Sequence, residues 1–356
     1  MLKLEYRDYT LDFKFEAGTS RGILKDHPIV LLKIYDSEHP EVYGLGEAAP
    51  LHNLSPEKVE DVREALAALS PRLKSVPMPD SEEEVFGLVS RLVLPTLPSL
   101  RMALETAFLD LINGGRRLIF NNDFYRGISA IPINGLIWMG AEDAMREQIA
   151  GKLSSGFKCI KMKIGAIDFE QELSLLRLLR AHDPDLIIRV DANGAFATDE
   201  VFSRLSQLEE LGIHSIEQPI MAGQHEAMQL LCKRSPVPIA LDEELIGVNE
   251  YSQKQELLKF IRPQYIILKP TLLGGFGATL EWISLAEQQG IGWWLTSALE
   301  SNISLNAIAQ FAGRFPSTGY QGLGTGQLYH NNIDSPLEIA GAFLGYNQER
   351  TWMNVF

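Results

Sequence analysis

From residue 131 onward, short apolar runs alternate with stretches whose apolar residues recur every three or four positions. The short runs predict buried strands, and the longer spacing predicts amphipathic helices. The predicted strands are 131–137, 158–163, 186–190, 214–217, 237–241, 265–268, 291–295 and 318–322. The predicted helices are one that ends near 153, then 168–180, 198–211, 224–234, 249–258, 277–289 and 302–312. These repeats predict an α/β protein with a parallel (β/α) barrel, and a doubly wound open sheet is the alternative. No Gly-x-Gly-x-x-Gly motif follows the first strand, which argues against a dinucleotide-binding domain.

Residues 1–115 have a different pattern, with β-prone segments first and helices afterwards. Apolar and polar residues alternate over 2–6, and residues 29–35 are strongly β-prone, which predicts strands up to about residue 50. Residues 17–22 are small and predict a mobile loop, either a plain hairpin connection or a lid over a site. Three serines are typical of helix starts, namely Ser55, Ser81 and Ser99. The segment therefore predicts an α+β unit.

Charged or polar residues stand at six successive strand ends of the predicted barrel. They are Lys161 and Lys163, Asp191, Glu217, Asp242, Lys269, and Thr296 with Ser297. Residues i and i+2 of a strand face the same side, so Lys161 and Lys163 point into one space. The carboxyl ends of barrel strands form the face that carries the active site. Each residue alone has an ordinary explanation as a turn former, a helix cap or a solvated lysine. Charges beside the core at five successive strand ends favour one shared site.

Asp191, Glu217 and Asp242 have the chemistry of a divalent cation site. Three carboxylates without histidine or cysteine favour Mg²⁺, and Mn²⁺ is possible as well. A lysine that neighbouring positive charge or burial brings towards neutrality becomes a general base, and Lys161 beside Lys163 supplies such a charge. The expected reaction is removal of a proton from the carbon next to a substrate carboxylate, with the enediolate stabilised by the cation.

Composition and charge limit the partners of this chain. The 356 residues carry a formal net charge of −14, which argues against sequence-independent binding to nucleic acid or to an anionic membrane. A small acidic substrate is still possible in a locally positive cleft. Cys159 and Cys232 form neither a zinc motif nor a disulfide framework and suggest reduced thiols. The N-terminus lacks the apolar core of a signal peptide, and no run of about 18 apolar residues occurs. We expect a cytoplasmic protein without a membrane span, and its oligomeric state is open.

The charged strand ends resemble those of the enolase superfamily. The motif Lys161-Met162-Lys163 is similar to the Lys-x-Lys motif of its muconate-lactonising-enzyme subgroup. The resemblance covers nearly the whole chain and implies a modified TIM barrel, (β/α)7β, over residues 131–334. It also implies an α+β capping domain over 1–115, to which part of the tail, 335–356, contributes.

The same resemblance assigns roles to the charged residues. It implies that Lys163 is the base and that Lys269 is a second catalytic lysine on the opposite face of the substrate. The metal ligands would be Asp191, Glu217 and Asp242. Lys161 would contact the substrate carboxylate and lower the pKa of Lys163, and Asn193 would lie beside the metal ligands.

Within the subgroup, three stretches resemble the o-succinylbenzoate synthase family: 268–275, 296–302 and 322–326. That family removes water from 2-succinyl-6-hydroxy-2,4-cyclohexadiene-1-carboxylate, a step of menaquinone biosynthesis. Dipeptide epimerases usually carry an Asp-x-Asp motif near the last strands, whereas this chain has Gly322-Leu323-Gly324 there. An N-succinylamino acid racemase or a dipeptide epimerase is still the alternative, because both lysines needed for two-base chemistry are present.

Further substrate contacts are implied by this resemblance. The loop with Thr19 and Ser20 would close over the substrate, and Ser297, Gly322 and Gly324 would hold its succinyl carboxylate through hydroxyl and backbone N–H groups. Ser297 and the glycine turn could equally be turns that close the barrel. Two other hypotheses are a metal-free class I aldolase with a Schiff base on Lys269, which leaves the carboxylates unexplained, and a non-catalytic scaffold.

Overall fold

The structure is a computed structural model that describes residues 1–19, 22–315 and 319–356. The N-terminal part has an antiparallel sheet in the order β1-β2-β3, followed by three helices. Its strands are β1 (Leu2–Thr19), β2 (Gly22–Asp36) and β3 (Tyr43–Ala48). Its helices are α1 (Val59–Leu73), α2 (Glu82–Leu92) and α3 (Pro98–Ile112). The α+β pattern expected for this segment is thus present.

Local details of this N-terminal part differ from the sequence predictions. The loop predicted over 17–22 is wrong at Ala17, Gly18 and Gly22, because strand pairing continues to the Thr19–Gly22 pair. Ser55 does not begin a helix: α1 begins at Val59, and the Ser55 hydroxyl instead accepts a hydrogen bond from the backbone N–H of Leu51.

The other two helix starts agree better with the sequence. The Ser81 hydroxyl caps α2 by accepting a hydrogen bond from the backbone N–H of Glu84 at 3.3 Å, as its capping position predicts. Helix α3 begins at Pro98, one residue before the predicted Ser99. Proline fits this first position because its missing N–H would have no partner there.

The rest of the chain builds a seven-stranded parallel sheet with helices between consecutive strands. Sheet order follows the chain from β5 to β11. The strands are β4 (Ile131–Pro132), β5 (Gly135–Ile137), β6 (Cys159–Lys163), β7 (Ile187–Asp191), β8 (Ser215–Glu217), β9 (Ile239–Leu241), β10 (Tyr265–Leu268) and β11 (Gly292–Leu295). The helices are α4 (Glu142–Ser154), α5 (Phe169–His182), α6 (Val201–Glu209), α7 (His225–Arg234), α8 (Tyr251–Ile261), α9 (Pro270–Leu273), α10 (Gly275–Gln288) and α11 (Asn302–Ala312). The predicted alternation of strands and helices is therefore confirmed, although the short α9 has too few residues to show a helical period.

One segment bonds to β11, an edge strand of the parallel sheet, and to residues that precede β5, the other edge strand. Gln321 forms a parallel bridge with Ile133, and Gly322 forms one with Thr296. The backbone N–H of Gly322 donates to the Leu295 carbonyl at 2.8 Å. This short segment is thus bonded on both of its sides, but it forms isolated bridges and not the continuous strand predicted over 318–322. Residue 318 lies outside the described residues.

The predicted strand 131–137 is in fact two strands in different sheets. Strand β4 pairs with the tail strand β13, whereas β5 pairs with β6. The tail forms the hairpin β12 (Leu337–Ala340) and β13 (Phe343–Tyr346). Trp352 and Phe356 then pack against an apolar cluster of the β1–β3 sheet, so the tail returns to the body as expected. Within the described ranges, no helix is long and apolar enough to cross a bilayer.

Two buried glutamates of the N-terminal part bind the first turns of helices in the second part. Glu47 on β3 accepts hydrogen bonds from the backbone N–H of Ser301 at 2.8 Å and the Ser301 hydroxyl at 2.6 Å, at the start of α11. Glu105 on α3 accepts from the N–H groups of Phe276 and Gly277, in the first turn of α10. Carboxyl groups at helix N-termini satisfy N–H groups that have no intrahelical partner. These contacts join the two parts of the chain.

Glu105 is expected to make stability depend on pH. Burial raises its pKa to about 8 from an ordinary value of 4.5. Between these values the folded chain holds a proton that the unfolded chain has released, so raising the pH lowers the free energy of unfolding by at most about 1.4 kcal/mol per pH unit. Glu105→Gln resembles the protonated acid, and it should flatten this dependence between pH 5 and 8 in urea unfolding.

A matched variant separates this effect from the other titrating groups of the chain. Glu226→Gln changes an exposed glutamate in the first turn of α7 and should keep the pH dependence of the parent chain. If Glu105→Gln and the parent chain lost stability equally between pH 5 and 8, Glu105 would be ionised in the folded state at the lower pH.

Candidate active site

The predicted charged residues come together because the strands that carry them are in register. Lys163 pairs with Asp191 across β6 and β7, and Asp191 pairs with Glu217 across β7 and β8. Residues at paired positions of parallel strands point to the same face, so their side chains converge. Asp242 follows β9 and Lys269 follows β10 at the same edge of the sheet.

Ion pairs link the lysines to the carboxylates. The Lys161 Nζ atom lies 2.6 and 2.7 Å from the Glu217 oxygens and 2.8 Å from Asp191 Oδ2. Lys163 Nζ lies 3.2 Å from Asp191 Oδ2, and Lys269 forms a short hydrogen bond to Asp242. All six side chains are buried. The structure therefore brings these residues together in one cluster, as the sequence predicted.

Asn193 connects the cluster to an acidic residue that the sequence reasoning did not assign. Lys163 Nζ donates to Asn193 Oδ1 at 2.8 Å, and Asn193 Nδ2 donates to Glu243 Oε1 at 3.0 Å. The backbone of Asn193 has φ of 44°, a left-handed conformation that asparagine tolerates better than most residues. Glu243 is adjacent to Asp242 in the chain, and this adjacency was the one sequence signal for its place in the site.

The pKa values follow from burial and the neighbouring charges. Burial and repulsion from Lys161 and Lys269 lower the pKa of Lys163, despite the attraction of Asp191. Burial also opposes the charged form of Lys161, but the carboxylates outweigh it and raise the pKa of Lys161. The result is two neighbouring lysines with pKa shifts of opposite sign, of which Lys163 releases its proton more easily.

The acidic groups and the third lysine are shifted as well. Burial and the charge of Asp191 raise the pKa of Glu217 to about 8. Burial would raise the pKa of Asp191, but the charges of the lysines hold that pKa well below its usual range. For Lys269, the charges of Asp242 and Glu217 outweigh burial and raise the pKa.

The three carboxylates fit a divalent cation, although lysines now lie on their oxygen atoms. Within the described ranges, no group of three or more His, Cys, Asp or Glu side chains is arranged to hold a metal ion. The Lys161 ammonium group contacts both Asp191 and Glu217, so these two carboxylates share one cation. Three oxygen ligands on adjacent strands are a donor set suited to Mg²⁺ or Mn²⁺.

A cavity of about 960 Å³ adjoins the cluster. Lys161, Lys163, Asp191, Asn193 and Lys269 line its charged side. Apolar residues line much of the rest, among them Phe15, Leu136, Trp138 and Leu299. The ring of Phe15 meets that of Trp138 edge-on at 5.7 Å, so the β1–β2 hairpin forms part of the wall. The cavity suits a small anion with an apolar body.

The remaining predicted contact residues have different positions. Ser297, Gly322 and Gly324 line the cavity. A Cβ atom at Gly322 would lie 2.5 Å from the Thr296 hydroxyl oxygen, so glycine is required there for close packing. Thr19 is the last residue of β1, and Ser20 lies outside the described residues. Substrate contact by these five residues stays a prediction.

Comparison with known proteins assigns the family. Residues 144–348 match the family model "Enolase C-terminal domain-like". The chain is 45% identical to an o-succinylbenzoate synthase of Desulfotalea psychrophila over 97% of its own length and 99% of that protein. The chain belongs to the enolase superfamily. The family membership that we predicted from the charged strand ends is therefore confirmed.

Solved structures of other superfamily members have the same fold. The crystal structure of MenC from Desulfotalea psychrophila is 41% identical, with a TM-score of 0.87, and the match covers 97% of this chain and 99% of that one. Muconate lactonizing enzyme from Pseudomonas putida matches at 21% identity with a TM-score of 0.80, covering 98% of this chain and 94% of that one. Members of this superfamily use a divalent metal, which agrees with the carboxylate set.

Proposed function

We propose that this chain is an o-succinylbenzoate synthase. It would remove water from 2-succinyl-6-hydroxy-2,4-cyclohexadiene-1-carboxylate, as a carbon–oxygen lyase of menaquinone biosynthesis. The observation that carries the proposal is 45% identity over 97% of the chain to a protein of that name, together with the buried lysine and carboxylate cluster. We also propose a closed (β/α)7β barrel over 131–334, a capping domain over 1–115 with part of 335–356, and a cytoplasmic location.

Lys163 is the proposed base. Its lowered pKa places more of it in the neutral form at neutral pH, and Asn193 Oδ1 holds its Nζ atom. In a syn elimination the same nitrogen takes the proton from the carbon next to the carboxylate and returns a proton to the departing hydroxide. Lys161, whose pKa is raised, stays charged and attracts the substrate carboxylate.

Lys269 is the proposed cationic partner on the other side of the substrate. Lys163 is on β6 and Lys269 follows β10, and the carboxylates stand on the strands between them. The raised pKa of Lys269 keeps it protonated, so it stabilises negative charge that develops on the substrate.

The charge balance of the cluster favours an anionic substrate. With Lys163 neutral as the base, Lys161 and Lys269 formally balance two of the three carboxylates. A bound divalent cation, for which we propose Mg²⁺ with Asp191, Glu217 and Asp242 as ligands, supplies two positive charges and electrostatic stabilisation of a carboxylate. The cluster would then carry a net formal charge of +1, which attracts the carboxylates of a substrate with an uncharged ring.

The turn around Gly322 and Gly324 is the proposed site for the succinyl carboxylate. Gly324 lines the cavity, and its backbone N–H makes no backbone hydrogen bond among the described residues. Backbone N–H groups can hold an anion without a charged side chain. Thr19 and Ser20 are further proposed contacts of the substrate, and Ser297 is proposed to contact it through carbon atoms, because its hydroxyl hydrogen is donated to Glu300.

Racemisation of N-succinylamino acids is the second candidate function. Lysines on both sides of the carboxylates would permit proton removal from either face of a carbon. An N-succinylamino acid racemase of Thermus thermophilus is 29% identical over 84% of the chain. A dipeptide epimerase is less favoured because Gly322 and Gly324 supply no carboxylate for an ammonium group.

An ultraviolet assay tests the proposed dehydration. Purified protein with the cyclohexadiene acid and Mg²⁺ should form the aromatic product, because aromatisation follows proton removal. Excess EDTA should abolish turnover, and added Mg²⁺ or Mn²⁺ should restore it. A parallel assay with N-succinylamino acids in D₂O measures the alternative. Racemisation without dehydration would overturn the main proposal, and turnover that persisted in EDTA would contradict the metal.

A further inference from the structure

A buried glutamate lies behind the cavity wall at the end of β11. Glu300 is fully buried and does not line the cavity. One of its oxygens accepts from the Thr271 hydroxyl at 2.5 Å. The other accepts from the Ser297 hydroxyl at 2.6 Å and the Ala298 N–H at 2.8 Å. Two elements, the turn after β11 and the segment after β10, thus meet at one carboxylate.

The Ser297–Leu299 turn has its polar groups directed inward. The Ser297 hydroxyl donates its hydrogen to Glu300 and accepts from the Leu299 N–H at 3.0 Å and the Thr325 hydroxyl at 2.8 Å. A hydroxyl has a single hydrogen to donate, so Ser297 has none left for a substrate carboxylate.

Leu299 is held in an unfavourable backbone conformation. Its φ is 69°, in the left-handed region that leucine rarely adopts. Its carbonyl accepts from the Tyr329 hydroxyl at 2.5 Å and lies 3.0 Å from His27 Nδ1. Strained residues of this kind persist where the surroundings fix them, and they are frequent at functional sites.

We propose that Glu300 is a positioning residue that directs the donors of the Ser297–Leu299 turn away from the cavity. The cavity is then bounded there by carbon atoms of Ala298 and Leu299. The consequence rests on the proposed function: this wall contacts the uncharged ring or methylene part of the substrate, and the carboxylates bind elsewhere.

Two substitutions of Glu300 separate hydrogen-bond geometry from charge. In Glu300→Gln, the amide oxygen can accept from Ser297 and Ala298 while the amide nitrogen donates to the Thr271 oxygen, so all three contacts are kept and only the direction of the Thr271 bond is reversed. Glu300→Asp keeps the charge, but it is one methylene shorter and cannot reach both sides. We expect KM within about threefold of the parent for the glutamine variant. For the aspartate variant we expect KM to rise about tenfold with kcat within about threefold, because buried donors lose their acceptor.

Thr271→Val is the matched control. It removes a donor to the same carboxylate but leaves the Ser297–Leu299 turn bonded. We expect a lower melting temperature with KM unchanged. A rise in KM equal to that of Glu300→Asp would overturn the proposal, since loss of stability alone would then explain both.

Hydrogen–deuterium exchange gives a readout that does not depend on the reaction. The peptide over 296–301 should exchange slowly in the parent and in Glu300→Gln, and faster in Glu300→Asp. If the parent did not dehydrate the cyclohexadiene acid, the proposed function would be wrong. The exchange pattern would still show whether Glu300 positions the Ser297–Leu299 turn. Equal exchange in all three proteins, or loss of protection in the glutamine variant alone, would refute that role.

Discussion

Replacing Lys163 by alanine is expected to lower kcat by about 10³-fold or more. The expected loss follows from its proposed role as the base that removes the proton, since a positioned general base contributes about 10²- to 10⁴-fold in rate. Its pKa is lowered by burial and by the neighbouring ammonium groups, and no other lysine of the cluster is shifted in that direction. Turnover and exchange of the substrate α-proton in D₂O should both be lost.

Two further variants make this prediction specific. Lys158→Ala removes an exposed lysine next to the same strand, paired with Asp183 at 3.1 Å, and should leave turnover unchanged. Lys269→Ala should also lower kcat strongly, but exchange of the α-proton should persist at a reduced rate because Lys163 is still present. If Lys163→Ala kept its α-proton exchange and Lys269→Ala lost it, the two lysines would have exchanged roles.

The clustering of the charged residues could be predicted because its signals are local. Each charged residue lies at the end of an apolar run, and the carboxyl ends of parallel strands lie at one edge of the sheet. Strand β10, Tyr265–Leu268, and helix α11, Asn302–Ala312, have the predicted bounds for the same reason. Periodicity and end signals lie within a few residues of each other, so tertiary contacts were not needed to find them.

Other features depend on residues far apart in the chain and could not be predicted. The length of the β1–β2 hairpin is set by continued pairing and by the bridge between Gly18 and Met139, where a Cβ atom would lie 2.6 Å from a carbonyl oxygen. The break between β4 and β5 arises because β4 pairs with the distant tail strand β13. Nothing in the local sequence around residues 131–137 indicates that partner.

The buried glutamates also could not be predicted, because their partners lie far away in the chain. Glu47 meets Ser301 across 254 positions of the chain, and Glu300 meets Thr271 across 29. A glutamate in a sequence predicts a solvated side chain far more often than a buried acceptor. Their roles therefore become visible once the fold has placed the helix N-termini and the Ser297–Leu299 turn against them.

Lys161→Met is expected to lower the thermal stability of the metal-free protein and to increase the stabilisation that added metal provides. The Lys161 ammonium group is buried between Asp191 and Glu217, and removing one partner of a buried ion pair costs about 3–5 kcal/mol of stability. A divalent cation held by the same carboxylates, as we propose, would replace the lost charge without displacing Lys161. In EDTA, Lys161→Met should therefore melt at a lower temperature than the parent protein. Added Mg²⁺ should raise the melting temperature of the variant by more than it raises the melting temperature of the parent.

A buried lysine outside the site provides the control. Lys254 is fully buried and bonds to Glu281 at 2.7 Å, far from the carboxylates in the chain, so Lys254→Met should also lower the melting temperature but leave the Mg²⁺ response equal to that of the parent. The comparison separates the loss of any buried ammonium group from the loss of the one that contacts the proposed metal ligands. An equal Mg²⁺ shift in Lys161→Met and Lys254→Met would mean that Asp191 and Glu217 do not bind the metal through the oxygens that Lys161 contacts.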